Sequence, residues 1–320
     1  MTDRLRLPNL IIAGVAKAGT TSLFNYLAQH PDICPADVKE TRYFDPLRFG
    51  ETTGPLESYA DHFRHWRGER YAVEATPGYF HGGQRIASAI NQTCPHARVL
   101  VLLRSPSDRC WSYYRFVKSR ASIPADMDFE SYLDRCEDLH ARGLDELRQN
   151  RSFLGLGGGC YAKWMGGWSA EMGDRLKVVY FDALESGASG TVQDICAWLG
   201  IEVDVVDGFD LAVENKTEQV RSRPAQRLAL AVNRRAEGYF RRHPATKRRL
   251  RSLYYLANRE PSRLTVSDAA ARQMADFYRP YDDLLAQQLD AMGVAPAPWW
   301  PGPTDCTTGG ASHLAVADPA

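Results

Sequence analysis

An apolar run followed by a glycine-containing turn forms the stretch NLIIAGVAKAGTTSLFNYL at residues 9–27. It fits the phosphate-binding pattern G-x-x-x-x-G-K-[ST] at both glycines and at Thr21, but Thr20 stands at the lysine position and the nearby lysine is Lys17. A strand, a turn and a helix N-terminus gather backbone N–H groups around one point, where the helix dipole adds positive potential. The sequence therefore predicts a site for a tetrahedral anion.

The cation of this predicted site is displaced from the position that nucleotide triphosphatases use. In those enzymes the lysine reaches the β and γ phosphates, the next Ser or Thr holds Mg²⁺, and an aspartate helps to hold the metal. Here Lys17 lies inside the loop, and the apolar run VLVLL ends in Arg104. Because ligands of α/β proteins bind at the carboxyl ends of strands, Arg104 suits an anion there. The pattern favours an anionic group bound without a metal.

A carboxylate, Glu40, follows the loop by about twenty residues in the stretch KETRYFD. A neutral alcohol or amine must lose a proton as it attacks, and a carboxylate within hydrogen-bond reach can accept that proton. The extended segment 33–35 would return the chain to the carboxyl edge of the sheet, which would put Glu40 near the loop. The alternative is an ion pair with Lys39 or Arg42 on a surface helix.

Apolar runs alternate with helical periodicity along the first two thirds of the chain, a pattern typical of βα units around a parallel sheet. We predict strands at 9–15, 71–75, 98–103 and 176–181, and helices at 20–29, at about 82–92, after Pro106 and up to Gly200. Beyond Pro224 the pattern is helical with no clear strand. We therefore expect an α/β, P-loop-like three-layer fold with a central, mostly parallel sheet flanked by helices and a helical C-terminal region.

Composition limits the classes of protein that fit. The 320 residues include 39 Lys and Arg against 39 Asp and Glu, so no overall field favours nucleic acid. No stretch reaches the roughly 20 apolar residues of a membrane span. The seven scattered cysteines, never spaced C-x-x-C, indicate reduced thiols in a cytoplasmic protein. We expect one domain over residues 1–300 and a disordered, Pro- and Gly-rich tail over 301–320.

Charge is uneven along the chain despite the zero total. Residues 221–263 hold 13 Lys and Arg against two acidic residues. This basic segment is either a set of solvated helix faces or a surface for a nucleotide phosphate, an acidic acceptor or a membrane. Peripheral membrane contact through the basic segment is therefore compatible with the sequence. The sequence leaves the oligomeric state open.

Several motifs together resemble one known family. AKAGTTSL resembles the 5′-phosphosulfate loop of sulfotransferases that use 3′-phosphoadenosine 5′-phosphosulfate (PAPS), and VLLRSPSDRCWSYY resembles their 3′-phosphate segment. KETRYFD is similar to the K-E-x-x-F-F-D stretch of the heparan sulfate glucosaminyl sulfotransferase branch. VEATPGYF, GCYAKWMGGW, ENKTEQVRSRP and FYRPYDDLL follow in the order of that branch. The resemblance runs from about residue 9 to residue 300 and is more specific than the loop alone.

The resemblance implies a PAPS-dependent sulfotransferase that releases adenosine 3′,5′-bisphosphate and requires no metal. Its acceptor would be a hydroxyl, or as second choice an amine, of a small metabolite, glycolipid or natural product. Glu40 would be the catalytic base, and Lys17 would stabilise the transferring group. The implied donor-binding residues are Lys17, Ala18, Gly19, Thr20, Thr21, Ser22, Arg104, Ser112, Tyr161, Lys216 and Arg221. Tyr161 has the alternative interpretation of a core residue, and either Lys216 or Arg221 would contact the 3′-phosphate.

The chain departs from the heparan branch at three positions that help to bind the polysaccharide there. Ala75 replaces a lysine, Arg42 a histidine and Phe116 a glutamine. These departures favour a bacterial-type enzyme with a smaller acceptor. One alternative is a small-molecule P-loop kinase, which predicts a lysine next to Thr21 and an acidic strand end. Another is a non-catalytic binder of anionic nucleotides or glycans, which gives Glu40 no role.

Overall fold

A five-stranded parallel sheet forms the centre of the structure, a computed structural model that describes residues 5–212 and 265–302 and the backbone of 219–220 and 259–260. The strand order is β2-β3-β1-β4-β5. The strands are β1 Leu10–Gly14, β2 Ile33–Pro35, β3 Tyr71–Ala75, β4 Arg98–Leu103 and β5 Leu176–Tyr180. This confirms the predicted α/β architecture, in which β1 lies between β3 and β4.

The strands form where the chain has short, mostly apolar runs, which Glu74 interrupts in β3 and Lys177 in β5. All five residues of β1 are buried, as are those of β3. A parallel sheet covered by helices on both faces requires such runs, because neither face meets water. The predicted strands at 71–75 and 98–103 have the observed bounds, and the extended segment predicted at 33–35 is β2. The fourth predicted strand ends one residue early, since Phe181 begins a helix.

Helices connect the strands and cover the sheet. They are α1 Thr20–Leu27, α2 Leu56–Ala60, α3 Gly83–Thr93, α4 Pro106–Ser119, α5 Phe129–Ala141, α6 Ala162–Met172, α7 Phe181–Ser186, α8 Ala188–Leu199 and α9 Asp268–Ala291. Short 3₁₀ turns lie at Asp45–Phe49, Asp61–Phe63, Tyr79–Gly82, Arg148–Phe153, Gly157–Gly159, Gly173–Arg175 and Asp204–Gly208. Helix α9 begins where the Ser267 hydroxyl accepts a hydrogen bond from the Ala270 N–H. In the described part of the chain, none of the helices is apolar over enough of its length to cross a bilayer.

The prediction of no strand beyond Pro224 is wrong at one place. Arg259–Glu260 forms a two-residue strand, β7, antiparallel to β6 at Gln219–Val220. Two residues are too few for the alternating pattern that marks a strand in sequence. The helical character predicted for this region is confirmed for α9. Lys216, Arg221, most of the basic segment and the tail from 303 lie outside the described residues.

Two large hydrophobic cores hold the sheet and the helices in place, beside a small cluster of Ala36, Phe63 and Ala72. The larger core fills the space between the sheet and its covering helices and includes Trp168, which is fully buried. The smaller core joins α4, α5 and α9 through Tyr114, Tyr132, Met274 and Tyr278. Because α4 starts directly after β4, this second core sets the direction in which α4 leaves the sheet edge.

Candidate active site

The carboxyl edge of the sheet brings three chain segments together. Val15, the first residue after β1, donates its N–H to the Leu102 carbonyl of β4 at 2.8 Å. On the other side, Thr76 follows β3 and donates its N–H to the Ile12 carbonyl at 3.2 Å. Adjacent strands lie about 4.8 Å apart, so the ends of β3 and β4 are roughly 10 Å apart across the end of β1. Such an edge is where α/β folds bind ligands.

The loop after β1 ends in a left-handed glycine that starts α1. Gly19 has φ 80°, and its carbonyl accepts the first bond inside the helix from the Leu23 N–H at 3.0 Å. The N–H groups of Thr20 and Thr21 precede that bond, and no carbonyl of the described residues accepts from them. These two groups are therefore available to an anion at the helix N-terminus.

The residues flanking Gly19 have different surroundings. Ala18 is fully buried, and its N–H already donates to the Val15 carbonyl at 3.2 Å, so this N–H is used within the turn. The side chains of Thr20 and Ser22 are buried, whereas Thr21 is half-buried. The backbone N–H groups available to an anion therefore lie after Ala18, at the start of α1.

Lys17 and Arg104 meet at this loop, as the sequence predicts for residues that share one ligand. The Arg104 Nη1 donates to the Lys17 carbonyl oxygen at 3.3 Å. The Lys17 Nζ lies 5.0 Å from the centre of the Phe116 ring on α4. The Arg104 guanidinium lies 4.4 Å from the Phe181 ring, and its Nε is buried without a hydrogen-bond partner among the described residues. A buried, unused donor next to the loop fits a ligand that brings an anionic acceptor.

Tyr161 lies in the core and supports this arrangement from behind. Its side chain is 1% exposed, and its hydroxyl donates to the Arg104 carbonyl at 2.8 Å. Burial raises the pKa of the Tyr161 phenol, so the hydroxyl stays protonated and keeps donating. The tyrosine therefore contacts the backbone of Arg104 and positions that residue.

Ser112 lies on α4, eight residues after Arg104, and is half-buried. Residues four apart on a helix share a face, so Ser112 faces the same side as Phe116. The Phe116 ring lies 5.0 Å from the Lys17 Nζ and 5.0 Å from the Arg120 guanidinium. Ser112 is therefore on the side of α4 that faces the loop.

Glu40 lies in a loop next to the end of β3, and its N–H donates to the Ala75 carbonyl at 3.0 Å. Its Oε2 accepts from the Arg42 Nη2 at 2.8 Å, and its Oε1 lies 3.4 Å from the Lys39 Nζ. The predicted ion pair is thus present, although Glu40 lies in a loop and not on a helix. The carboxyl is 36% exposed.

The electrostatic surroundings of Glu40 keep its carboxyl ionised. Burial alone would raise its pKa, but the charge of Lys39 and the hydrogen bond from Arg42 outweigh burial and lower the pKa below the ordinary value. At neutral pH the group is therefore an acceptor of hydrogen bonds and protons. An ion pair and a role as base are compatible, because each carboxylate oxygen has more than one lone pair.

Left-handed backbone marks the same loops. Among the described residues other than glycine, positive φ occurs at Lys17 (74°), Glu40 (68°), Arg42 (59°) and Ala121 (52°). Such a conformation costs on the order of 1–3 kcal/mol for a residue with a side chain, and it concentrates at functional sites. Three of these four residues border the candidate site, which the sequence alone did not reveal.

A cavity of about 190 Å³ is lined by Arg42, the ion-pair partner of Glu40, and was also not predicted. Its lining residues are Arg42, Asp45, Pro46, Phe49, Glu51, Arg148 and Arg151. Burial raises the pKa of Asp45, while the nearby guanidinium groups oppose that rise. The Arg148 guanidinium binds Glu51 at 2.7 Å and lies 4.4 Å from the Phe49 ring. The cavity thus combines an aromatic face with closely spaced donors and acceptors.

Comparison with known proteins identifies the family to which this fold and site belong. Residues 7–243 match the sulfotransferase domain, which is more than half of the chain. The chain therefore belongs to the sulfotransferase family. This confirms the resemblance to the sulfotransferase family, while the roles of individual site residues stay predictions.

Individual relatives agree with this assignment. The chain is 31% identical over 169 residues to the membrane-associated sulfotransferase kil1 of Dictyostelium discoideum, covering 48% of this chain and 35% of that protein. It is 26% identical over 280 residues to heparan sulfate glucosamine 3-O-sulfotransferase 3B1 of Mus musculus, covering 87% of this chain and 62% of that protein. The chain thus spans less than two thirds of the length of these relatives. The crystal structure of a sulfotransferase from Alicyclobacillus acidocaldarius is 28% identical, with a TM-score of 0.55 over 70% of this chain and 90% of that chain.

Proposed function

We propose that this protein transfers a sulfuryl group from PAPS to a hydroxyl, or as second choice an amine, of a small metabolite, glycolipid or natural product. The observation that carries the proposal is the meeting of three segments at one sheet edge. Lys17 lies in the loop that follows β1, the Glu40 N–H is hydrogen-bonded to the end of β3, and Arg104 directly follows β4. Sulfotransferases of this family use PAPS, which supplies the sulfuryl group when bound.

The residues at the edge fit a donor that is anionic at two places. The N–H groups of Thr20 and Thr21 and the Lys17 ammonium would hold the 5′-phosphosulfate. The buried Nε of Arg104 and the Ser112 hydroxyl would hold the 3′-phosphate, with Tyr161 fixing the backbone of Arg104. Preorganised donors of this kind stabilise spread negative charge without reorganising as it develops. Lys216 and Arg221 stay predictions, because they lie outside the described residues.

Glu40 would accept the proton that the acceptor hydroxyl loses as it attacks. Its lowered pKa keeps it ionised at neutral pH, which a base needs, although a lower pKa also weakens its proton affinity. Arg42 and Lys39 would hold the carboxylate in one orientation through the contacts at 2.8 and 3.4 Å. Metal-free catalysis stays a prediction that a chelator experiment can test.

The cavity beside Glu40 is the proposed acceptor side. Cavities for drug-sized ligands are roughly 300–1,000 Å³, so about 190 Å³ suits part of a ligand, such as one ring of an acceptor. The lining side chains can exchange hydrogen bonds with neighbouring hydroxyls, while Phe49 offers an apolar face. This chain departs at Arg42 and Phe116 from the pattern of the heparan branch that it resembles, so the acceptor named for those relatives is not transferred to it.

The test of this function compares two glutamates with similar surroundings. Glu40 is 36% exposed and paired with Lys39 and Arg42, and Glu146 is 38% exposed and paired with Lys163 at 3.0 Å. We expect Glu40→Gln to lower sulfuryl transfer by roughly 10²-fold to 10⁴-fold while binding of adenosine 3′,5′-bisphosphate is unchanged. Glu146→Gln should change neither. Normal turnover in the Glu40 variant would exclude the general-base role.

Ligand binding separates this function from the two alternatives. Any ligand selective for the native state raises the unfolding temperature. We expect adenosine 3′,5′-bisphosphate to do so in the presence of a chelator, and 5′-AMP to do so less. A larger effect of ATP with Mg²⁺ would favour the kinase, and an effect of heparin alone would favour a non-catalytic binder.

The acceptor itself can be sought by mass spectrometry of host metabolites with and without the protein. The cytoplasmic location stays a prediction.

A further inference from the structure

A fully buried carboxylate, Glu74, lies in the middle of the residues that hold the Glu40 loop. Glu74 is on β3 and is 0% exposed. Its Oε1 accepts a hydrogen bond from the Tyr59 hydroxyl at 2.8 Å, and its Oε2 accepts from the hydroxyls of Thr41 and of Thr76, the latter at 3.3 Å. No Lys or Arg side chain makes an ion pair with Glu74 among the described residues. Its two oxygens are therefore satisfied by hydroxyl donors.

The acceptor character of Glu74 fixes the direction of two hydrogen-bond chains. The Thr76 hydroxyl donates its one hydrogen to Glu74 and keeps its lone pairs for the Arg42 N–H, which is 3.2 Å away. Thr41 likewise donates to Glu74 and can accept from the Tyr79 hydroxyl at 3.4 Å.

The second chain ends on the backbone a little further along the loop. The Tyr79 hydroxyl accepts from the Phe44 N–H at 3.2 Å. Two backbone amides, those of Arg42 and Phe44, are thereby connected through hydroxyl groups to one buried carboxylate. Between Glu40 and Phe44 the loop contains two residues with left-handed backbone, Glu40 and Arg42. Without such bonds nothing in the local sequence favours this backbone, because neither residue is glycine.

We infer that Glu74 is a positioning residue for the proposed base, acting through Thr41 and Thr76 on the loop that carries Glu40. This inference rests on the proposed function for its effect on turnover. Its structural part, the connection of two loop amides to Glu74, is independent of any reaction. Glu74 itself is buried beneath the loop and does not contact a substrate.

Amide hydrogen exchange tests the two chains separately. Thr76→Val removes the acceptor of the Arg42 N–H, and Thr41→Val removes the acceptor of the Tyr79 hydroxyl that holds the Phe44 N–H. We expect exchange to become roughly 10-fold faster at Arg42 in the first variant and at Phe44 in the second, as for the loss of one buried hydrogen bond. Glu74→Leu should speed up both amides, and the threonine variants keep the test valid if the leucine variant does not fold.

Serine and a distant threonine provide the controls. Thr41→Ser and Thr76→Ser retain the hydroxyl and should restore slow exchange. Thr191→Val makes the same change on α8, where the hydroxyl donates to the Ala183 carbonyl at 2.9 Å, and should leave both loop amides unchanged. Unchanged exchange at Arg42 and Phe44 in both valine variants would overturn the inference.

Kinetics then connect the loop to the reaction. We expect both valine variants to lower kcat by roughly 10-fold to 100-fold, as for a catalytic group displaced by about 1 Å, with unchanged affinity for adenosine 3′,5′-bisphosphate. Faster exchange with full kcat would refute the positioning role. Absence of sulfuryl transfer in the wild-type protein would instead refute the proposed function and leave the exchange result standing.

Discussion

Gly19 is the position where one added methyl group is expected to disturb the loop most clearly. Its φ of 80° costs a residue with a side chain about 1–3 kcal/mol. A Cβ there would lie 3.0 Å from Phe181 Cδ2 and 3.1 Å from Leu184 Cδ2, and overpacking of this kind typically costs about 1–3 kcal/mol. We expect Gly19→Ala to lower the free energy of unfolding by roughly 2–6 kcal/mol, the sum of the two costs. Affinity for adenosine 3′,5′-bisphosphate should fall as well.

Gly190 offers a control, because the same substitution is expected there to raise the free energy of unfolding. It lies in α8, and a Cβ there would meet no atom within 4 Å. Gly190→Ala should raise the free energy of unfolding by about 0.5–1 kcal/mol, because alanine is the better helix former. Urea unfolding and titration with adenosine 3′,5′-bisphosphate measure both effects. A Gly19→Ala protein with the wild-type urea midpoint and affinity would refute the geometry assigned to the loop.

Three further substitutions test the charges and supports of the site. Lys17→Ala should lower turnover by roughly 10²-fold to 10³-fold through loss of a charge that stabilises the transition state; a rate near wild type would exclude that role. Arg42→Ala should raise the pKa of Glu40, because it removes a hydrogen bond and a charge that lower this pKa while the effect of burial, which raises it, remains. NMR titration of the carboxyl measures the change. Because the pKa is lowered in the native state, the ion pair stabilises at neutral pH, and that stability is lost as the pH falls through the native pKa. Tyr161→Phe should cost about 1 kcal/mol in unfolding free energy and weaken binding of adenosine 3′,5′-bisphosphate; unchanged affinity would contradict its support of Arg104.

The central sheet was predictable because its strands are mostly apolar runs between turn residues. The bounds of β3 and β4 follow directly from RYAVEATP and ARVLVLLRSP. The meeting of the loop with Arg104 followed from the rule that ligands bind at strand carboxyl ends. The pair β6 and β7 was missed, because two residues carry no periodicity.

Apart from its ion pairs with Lys39 and Arg42, the surroundings of Glu40 could not be predicted, because they depend on contacts distant in sequence. Glu74 is 33 residues from Thr41, and its burial beneath the loop is a property of the packed sheet. Arg148 and Glu51, which line the cavity together, are 97 residues apart. One signal was present: an acidic residue within the otherwise apolar strand YAVEA indicates a buried carboxylate with polar partners.

The cavity beside Glu40 and the loop after β1 are built from different parts of the chain. Residues 42–51 and 148–151 form the cavity, whereas residues 15–22 and Arg104 form the anion-binding side. Changes at Phe49, Arg148 or Arg151 therefore leave the hydrogen bonds of the loop after β1 intact. A library for directed evolution can randomise Phe49, Arg148 and Arg151 to seek new acceptors, with one assay of nucleotide binding to discard misfolded clones.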